Sequence, residues 1–525
     1  MLVAEWTPSQ GPVDALGQAT GWRHWRSDIA GANGLVSFGW DWLQAHPNPT
    51  EAQKAFATLR ERNAPMLFVG PRFNPTAARA NEWIACRPGF EPLVALALAH
   101  LLLNEGRIQT PAGLESFAEA LFGLDLSDAE RQSHVPLRRL REMAQIVGTR
   151  QPFLCLGGRD RLQDQWAVVA LNALLGNVGR EPGGLIPTPE TGLRPAVATE
   201  SRPNSIHAEE LPQIIGEGRD VEAIVLVDVN PAFCNFAPKR WHEALRRAKH
   251  VVCATSFMDE TAALADVIIP LALPAERQDA YRDSASGQLI AVPADDIRTS
   301  RLSLTDSASQ GAANEVRLKP EVSELFEPVL PPPQGVLSPA TLAFELARRL
   351  DLPTDVFPWQ TPADVARGLV VDQPRVAGLQ IPATAADWIP PNFSDGEMHL
   401  LLETPVTLPR GQGGHLPQLL TTVAPHLREW WTTWVEVNPE TARHLRLDDR
   451  DEVIVESTAG SIRARVKIFP GVPPDAVAMA LGLGHRVGQF AQREGGNPAE
   501  LIEWRQDEES RVPLWNLQKV NIRKA

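Results

Sequence analysis

The sequence predicts an α/β protein with Rossmann-like parallel sheets and an all-β module at its C-terminal end. Two patterns predict it. From Leu35 to Pro270 short apolar runs alternate with loops and helical stretches, the order that lays parallel strands side by side under helices. After Gly396 the period shifts to alternation, the mark of half-buried strands.

Leu35–Gly39 reads as a buried strand ending in a Gly/Pro/Asn loop, followed by a helix from Thr50 to Arg62 and a strand at Met66–Gly70. Ala77–Trp83 and Pro92–Asn104 are helical by period. Phe153–Gly158 is a further strand, followed by an amphipathic helix from Gln163 to Leu175. The theme returns at Ala223–Asp228, His250–Ala254 and Val267–Pro270, with a helix over Arg240–Arg247. Residues 285–335 are polar and irregular, and a linker runs from Pro382 to Gly396. His399–Leu402, Trp434–Val437, Glu452–Glu456 and Ser461–Ile468 alternate as strands. The expected units are 1–190, a dinucleotide-binding-type domain; 191–380, a second and incomplete α/β domain; and 381–525, a β-barrel.

At 525 residues the chain needs two to four cores. Fifty Lys and Arg against 64 Asp and Glu give a net charge of −14, which argues against nucleic acid as partner. No stretch reaches the eighteen apolar residues of a membrane helix, and the N-terminus lacks the basic and apolar regions of a signal peptide. The default expectation is a cytoplasmic chain, peripheral to a membrane through partners at most. Cys86, Cys155, Cys234 and Cys253 have no metal or cluster spacing and read as small buried residues, with Cys234 in a loop. No iron–sulfur cluster is expected in this chain.

In open α/β sheets ligands sit beyond the carboxyl ends of strands. The loops there are Gly39-Trp40-Asp41, Gly70-Pro71-Arg72-Phe73-Asn74, Gly157-Gly158-Arg159 and Asp228-Val229-Asn230-Pro231. None is a Gly-x-Gly-x-x-Gly or a Walker loop, and alone they read as strand-to-helix turns.

Their order carries more. Gly70 to Ile84 leads to Arg87-Pro88-Gly89-Phe90-Glu91 and an alanine-rich helix; Gly176 to Gly184 is glycine-rich after a helix; Phe257 to Pro270 is followed by Glu276. Near the end come Val435 to Ala442, Val477 to Gly482, Leu483 to Ala491 and Gly495 to Pro498. Together these stretches resemble the molybdopterin-dinucleotide oxidoreductases, the complex iron–sulfur molybdoenzymes. The resemblance implies Rossmann-like sheets, a C-terminal double-psi-type barrel and a molybdopterin guanine dinucleotide. By that likeness the cofactor-binding residues are Arg72, Arg87, Gly89, Glu91, Gly176, Gly179, Gly183, Asn230 and His426. No catalytic residue and no metal ligand is assigned.

The departures matter as much. Gly70 stands where the family places an aspartate that grips the ribose, and Phe90-Glu91 replaces Thr-Asp at the base-reading turn. The barrel loop Val423–Trp431, which holds His426, lacks the family's basic-then-histidine pattern. These differences weaken the case for a bound dinucleotide. The iron–sulfur domain that opens family members is not recognised here, so another chain or an upstream portion is expected to cover the sheet edge. Val36 to Leu43 resembles a segment of the large peripheral subunit of alternative complex III, a quinol-oxidising assembly whose body lacks molybdenum.

The likeness therefore implies a family subunit of a respiratory or quinol-linked electron-transfer complex, scaffolding iron–sulfur and membrane subunits. Two alternatives stand beside it. One is the C-terminal half of a split molybdoenzyme, sharing its dinucleotide with a chain that carries the missing half. The other is the structural large subunit of an NADH dehydrogenase-type complex. His426, His444 and His485 in the barrel, and His207, His242 and His250 before it, have no metal-spacing partner.

Overall fold

The computed structural model describes residues 2–5, 13–46, 48–158, 161–193, 204–216, 221–277, 281–282, 289–290, 330–354, 357–359, 369–405, 408, 414–416, 432–488, 492, 495–509 and 513–525. His426, the rest of its loop and most of the irregular 285–335 stretch lie outside these residues.

Four parallel strands form the first sheet: β1 (Gly34–Phe38), β2 (Met66–Gly70), β3 (Glu82–Ala85) and β4 (Phe153–Gly157), in the order β3-β2-β1-β4. β1, β2 and β4 are buried along their whole length, as strands covered on both faces are. Helix α1 (Pro49–Glu61) starts on Asn48, whose side chain accepts from the Glu51 N–H, with Pro49 in the first turn. Helix α2 (Glu91–Asn104) is buried from Pro92 to Leu102, so it runs through the core and not over it. It packs against α3 (Leu137–Thr149) and α4 (Leu162–Leu174).

One element departs from its sequence pattern. Where a helix over Ala77–Trp83 is expected, the helix spans only Pro75–Arg79 and the chain turns into β3. Ala80 is extended, and residues 82–85 pair with β2. A one-turn helix is worth little by itself, and the ladder wins.

The second sheet is β5 (Ala223–Val227), β6 (His250–Thr255) and β7 (Val267–Pro270), parallel and in sequence order. Helix α5 (Pro238–Arg247) buries Trp241, Ala244 and Leu245 with Ile224 and Val251 of that sheet.

The C-terminal barrel has β8 (Met398–Glu403), β9 (Trp434–Val437), β10 (Glu452–Glu456), β11 (Ser461–Ile468), β12 (Ala476–Ala480) and β13 (Lys519–Lys524). It closes in the order β8-β12-β9-β11-β10-β13. The alternation predicted its interior: Val453 and Val455 point in from β10, as do Ile462, Ala464 and Val466 from β11. After β9 comes a short helix (Pro439–Leu445) capped by Asn438, whose side chain accepts from the Glu440 N–H.

The segment expected as a linker is a strap. Ile381 and Ala385 are buried in the first core, with Leu379, Ala386, Trp388 and Phe393 packed against it. Trp388 Nε1 donates to Asp164 (2.9 Å), and Arg161, in a bidentate pair with Asp164, donates to the Ile389 carbonyl (2.9 Å). Its proline-rich sequence matches a connector, but its apolar residues are spaced to cover the end of α4.

Candidate functional site

The carboxyl ends of the two parallel sheets face the barrel, and the predicted residues divide between three places. The first lies beyond β1 and β2. Asp41 accepts from the Thr76 N–H (3.1 Å) and hydroxyl (2.6 Å), fixing the loop after β1 to the turn after β2. On that turn Arg72 reaches across to the barrel. Its Nε donates to Glu436 Oε2 (2.7 Å), its Nη2 to Glu436 Oε1 (2.9 Å), and Nη1 lies 3.4 Å from Glu403. The geometry is the bidentate fork of a strong charge-assisted pair. Burial opposes the Arg72 charge, but Glu403 and Glu436 hold its pKa above the usual guanidinium range. Burial raises Glu403 to about 7, with Arg72 pulling the other way, and burial also raises Asp41.

The second place is the turn from β3 to α2. Arg87 lies 4.8 Å over the Phe90 ring, and Phe90 meets Trp388 edge-on at 5.3 Å. Gly89 has φ +79°, and a Cβ there would be 3.2 Å from both Phe393 and Pro391 of the strap. Glycine is required by the backbone as well as by this close packing. The Glu91 side chain lies against Gly39, a Cβ at which would be 3.5 Å from its Oε1. Close by, burial depresses His399 to about 4, so a neutral imidazole sits edge-on to Phe393 at 4.3 Å.

The third place joins the second sheet to the barrel. Asn230 is buried; its Nδ2 donates to Glu260 Oε2 (2.8 Å) and its Oδ1 accepts from Thr261. Glu260 also accepts from the backbone N–H of Arg486 (2.8 Å), and His485 Nδ1 is 3.1 Å from its Oε1. Burial would raise Glu260, but His485, Asn230 and the Arg486 N–H overcome it and hold the carboxyl at about 2. The His485 ring stacks on Phe233 with centroids 3.7 Å apart, and Asn497 donates to the Phe233 carbonyl (3.0 Å). Residues 485, 486 and 497 of the C-terminal stretch therefore dock it on the second sheet.

Gly176, Gly179 and Gly183 do not join these groups. All three have positive φ, between +68° and +87°, which accounts for glycine. The Gly183 N–H donates to Asp28 (2.8 Å), and a Cβ at Gly183 would press on Gly31 and Pro152. Gly31 and Pro152 precede β1 and β4, so this loop lies at the amino edge of the sheet, away from Arg72 and Gly89.

Sequence reasoning missed Glu403, Glu436, Trp388 and Phe393. A signal for Glu436 exists: it is an acidic residue in an apolar, alternating strand. Trp388 and Phe393 gave none, because proline-rich neighbours mask their spacing.

A two-sheet α/β body capped by a six-stranded barrel, with its polar residues gathered between them, defines a molybdoenzyme-type architecture. Residues 15–289 match the molybdopterin oxidoreductase family and residues 419–517 the molydopterin dinucleotide binding domain. The chain belongs to the molybdopterin oxidoreductase family. It is 25% identical to the menaquinone reductase, molybdopterin-binding-like subunit of Nitratidesulfovibrio vulgaris, over 95% of this chain and 72% of that one. To the F420-dependent formate dehydrogenase 2 subunit alpha of Methanococcus maripaludis it is 21% identical, over 86% and 72%. Acetylene hydratase from Pelobacter acetylenicus shares the fold, with TM-score 0.71, 15% identity and coverage of 98% and 81%. Among the described residues no helix is long and apolar enough to cross a membrane.

The family's dinucleotide does not fit the described residues as they are arranged. A phosphate at Arg72 would have to displace Glu436, and a base at the Gly89 turn would have to displace Phe393 and Pro391. Asn230 spends both ends of its amide on Glu260 and Thr261.

Proposed function

We propose that this chain is a family body that works as a scaffold in a multi-subunit electron-transfer complex, without a molybdenum–pterin of its own. The observation that carries the reading is the Arg72 fork. The side chain best suited to grip a phosphate is committed to two carboxylates of the barrel. An enzyme that loads an anionic dinucleotide between these domains gains nothing from acidic residues at that point. The name of the Nitratidesulfovibrio relative, molybdopterin-binding-like, belongs to a menaquinone reductase, and it supports a quinone-linked setting. The segment Val36–Leu43, similar to the alternative complex III subunit, points the same way. Iron–sulfur and membrane subunits are the partners this role needs.

The test is native-level purification through a small tag. The reading expects iron–sulfur signals by electron paramagnetic resonance and a membrane subunit in fixed ratio to this chain. Elution of the chain alone would contradict it.

A split molybdoenzyme is the second reading, favoured by the match to the dinucleotide binding domain over residues 419–517. It requires Arg72→Ala and Glu91→Ala to lower pterin content. Unchanged content in both would exclude it.

A further inference from the structure

We propose that Glu260, His415 and His485 form a site for one divalent transition metal of the zinc class, joining the second α/β sheet to the barrel. One ligand atom from each residue lies within 4.8 Å of the other two. Glu260 and His485 are buried, and His415 is half-buried. The three come from places 155 and 70 residues apart in sequence, so no motif spacing announces them.

Three features suit a metal. Bonds of about 2.0–2.2 Å in a tetrahedron place ligand atoms roughly 3.3–3.5 Å apart, close to the 3.1 Å between Glu260 Oε1 and His485 Nδ1. His415 Nε2 is screened from solvent and has no hydrogen-bond partner, an uncommon state for an imidazole nitrogen. Its other nitrogen faces the backbone at Gly488, where a Cβ would come within 2.4 Å. Burial lowers the His415 pKa, which keeps the ring neutral and able to ligate.

The surroundings hold the ligands in place. Asn230 and the Arg486 N–H fix the Glu260 carboxylate, as outer partners do around metal ligands. Phe233 stacks on His485, and Phe257 stacks on His415 at 5.8 Å, so the rings are fixed by apolar faces. The Arg486 guanidinium turns to Glu500 (2.7 Å) and adds no cation to the centre. The metal sits where the His485 Nδ1 and Glu260 Oε1 atoms now meet, with the imidazole carrying its one proton on Nε2. Two imidazoles and one carboxylate leave a fourth position for water.

The proposal stands apart from the scaffold reading, because it requires neither pterin nor molybdenum. The test uses the full chain with a histidine-free tag, stripped by chelator and titrated with Co2+. One equivalent should bind, with visible bands of tetrahedral intensity. Binding should protect against thermal unfolding. Among the described residues His415 makes no hydrogen bond that holds the fold, so apo His415→Ala should melt with the wild type and bind at least about tenfold more weakly. His485→Gln should lose the bands as well. Absence of binding at one equivalent would overturn the site. So would bands that persist unchanged in His415→Ala, which would mean an adventitious ion only.

Discussion

Three carboxylates, Asp41, Glu403 and Glu436, surround the single guanidinium of Arg72, so full ionisation leaves negative charge in excess. Glu403 takes up the strain, raised from 4.5 to about 7. A carboxyl that binds its proton more tightly in the folded protein than in the unfolded chain stabilises at low pH. Its contribution is complete below pH 4.5 and lost as pH rises through about 7. The melting temperature should therefore fall between pH 5 and pH 7.5, and Glu403→Gln should flatten that slope. Equal slopes in the two proteins would contradict the assignment. Arg72→Ala strands buried carboxylates without their cation and should cost about 3 kcal/mol in urea unfolding. A loss below about 1 kcal/mol would mean that the fork is an ordinary surface pair. In the sequence Arg72 stood out from its loop, but its partners lie more than three hundred residues away and only the fold brings them together.

At the scale of elements, long buried segments were legible and contingent ones were not. Strands β1, β2 and β4 fall where apolar runs fall, because a two-sided buried strand has little other way to be written; β5 and β7 follow apolar runs too, although Val225, Val227, Val267 and Ile268 are exposed. The stretch 77–83 misled, since it fits a helical period until pairing of residues 82–85 with β2 settles the matter. The strap was hidden for the opposite reason, as irregular backbone has no period. Its weight can be measured at Phe393, which covers Gly89 and meets His399. Phe393→Ala should cost about 3 kcal/mol in urea unfolding. A cost under about 1 kcal/mol would show that the strap only rests on the turn. The docking of the C-terminal stretch offers a second measurement. Asn230→Ala removes one buried donor from Glu260 and the acceptor of the Thr261 N–H and hydroxyl, and should cost about 1–3 kcal/mol. It should also speed proteolysis between the second sheet and the barrel, and unchanged cleavage would contradict this.

At the scale of the whole molecule, family and fold were legible from ordered motifs along nearly the whole chain. The state of the cleft was not, because it depends on which side chains meet across it. Arg72 on Glu436, Phe393 on Gly89, and Asn230 on the Glu260 that holds His485 and Arg486 each commit a residue assigned to a ligand to the protein's own packing. Together they describe a body whose interior is fastened to itself. The most direct test is molybdenum and tungsten by elemental analysis, with pterin by fluorescence after oxidation, on the chain purified with its native partners. A scaffold body should carry neither metal and no pterin above background. One equivalent of metal with its pterin would contradict it.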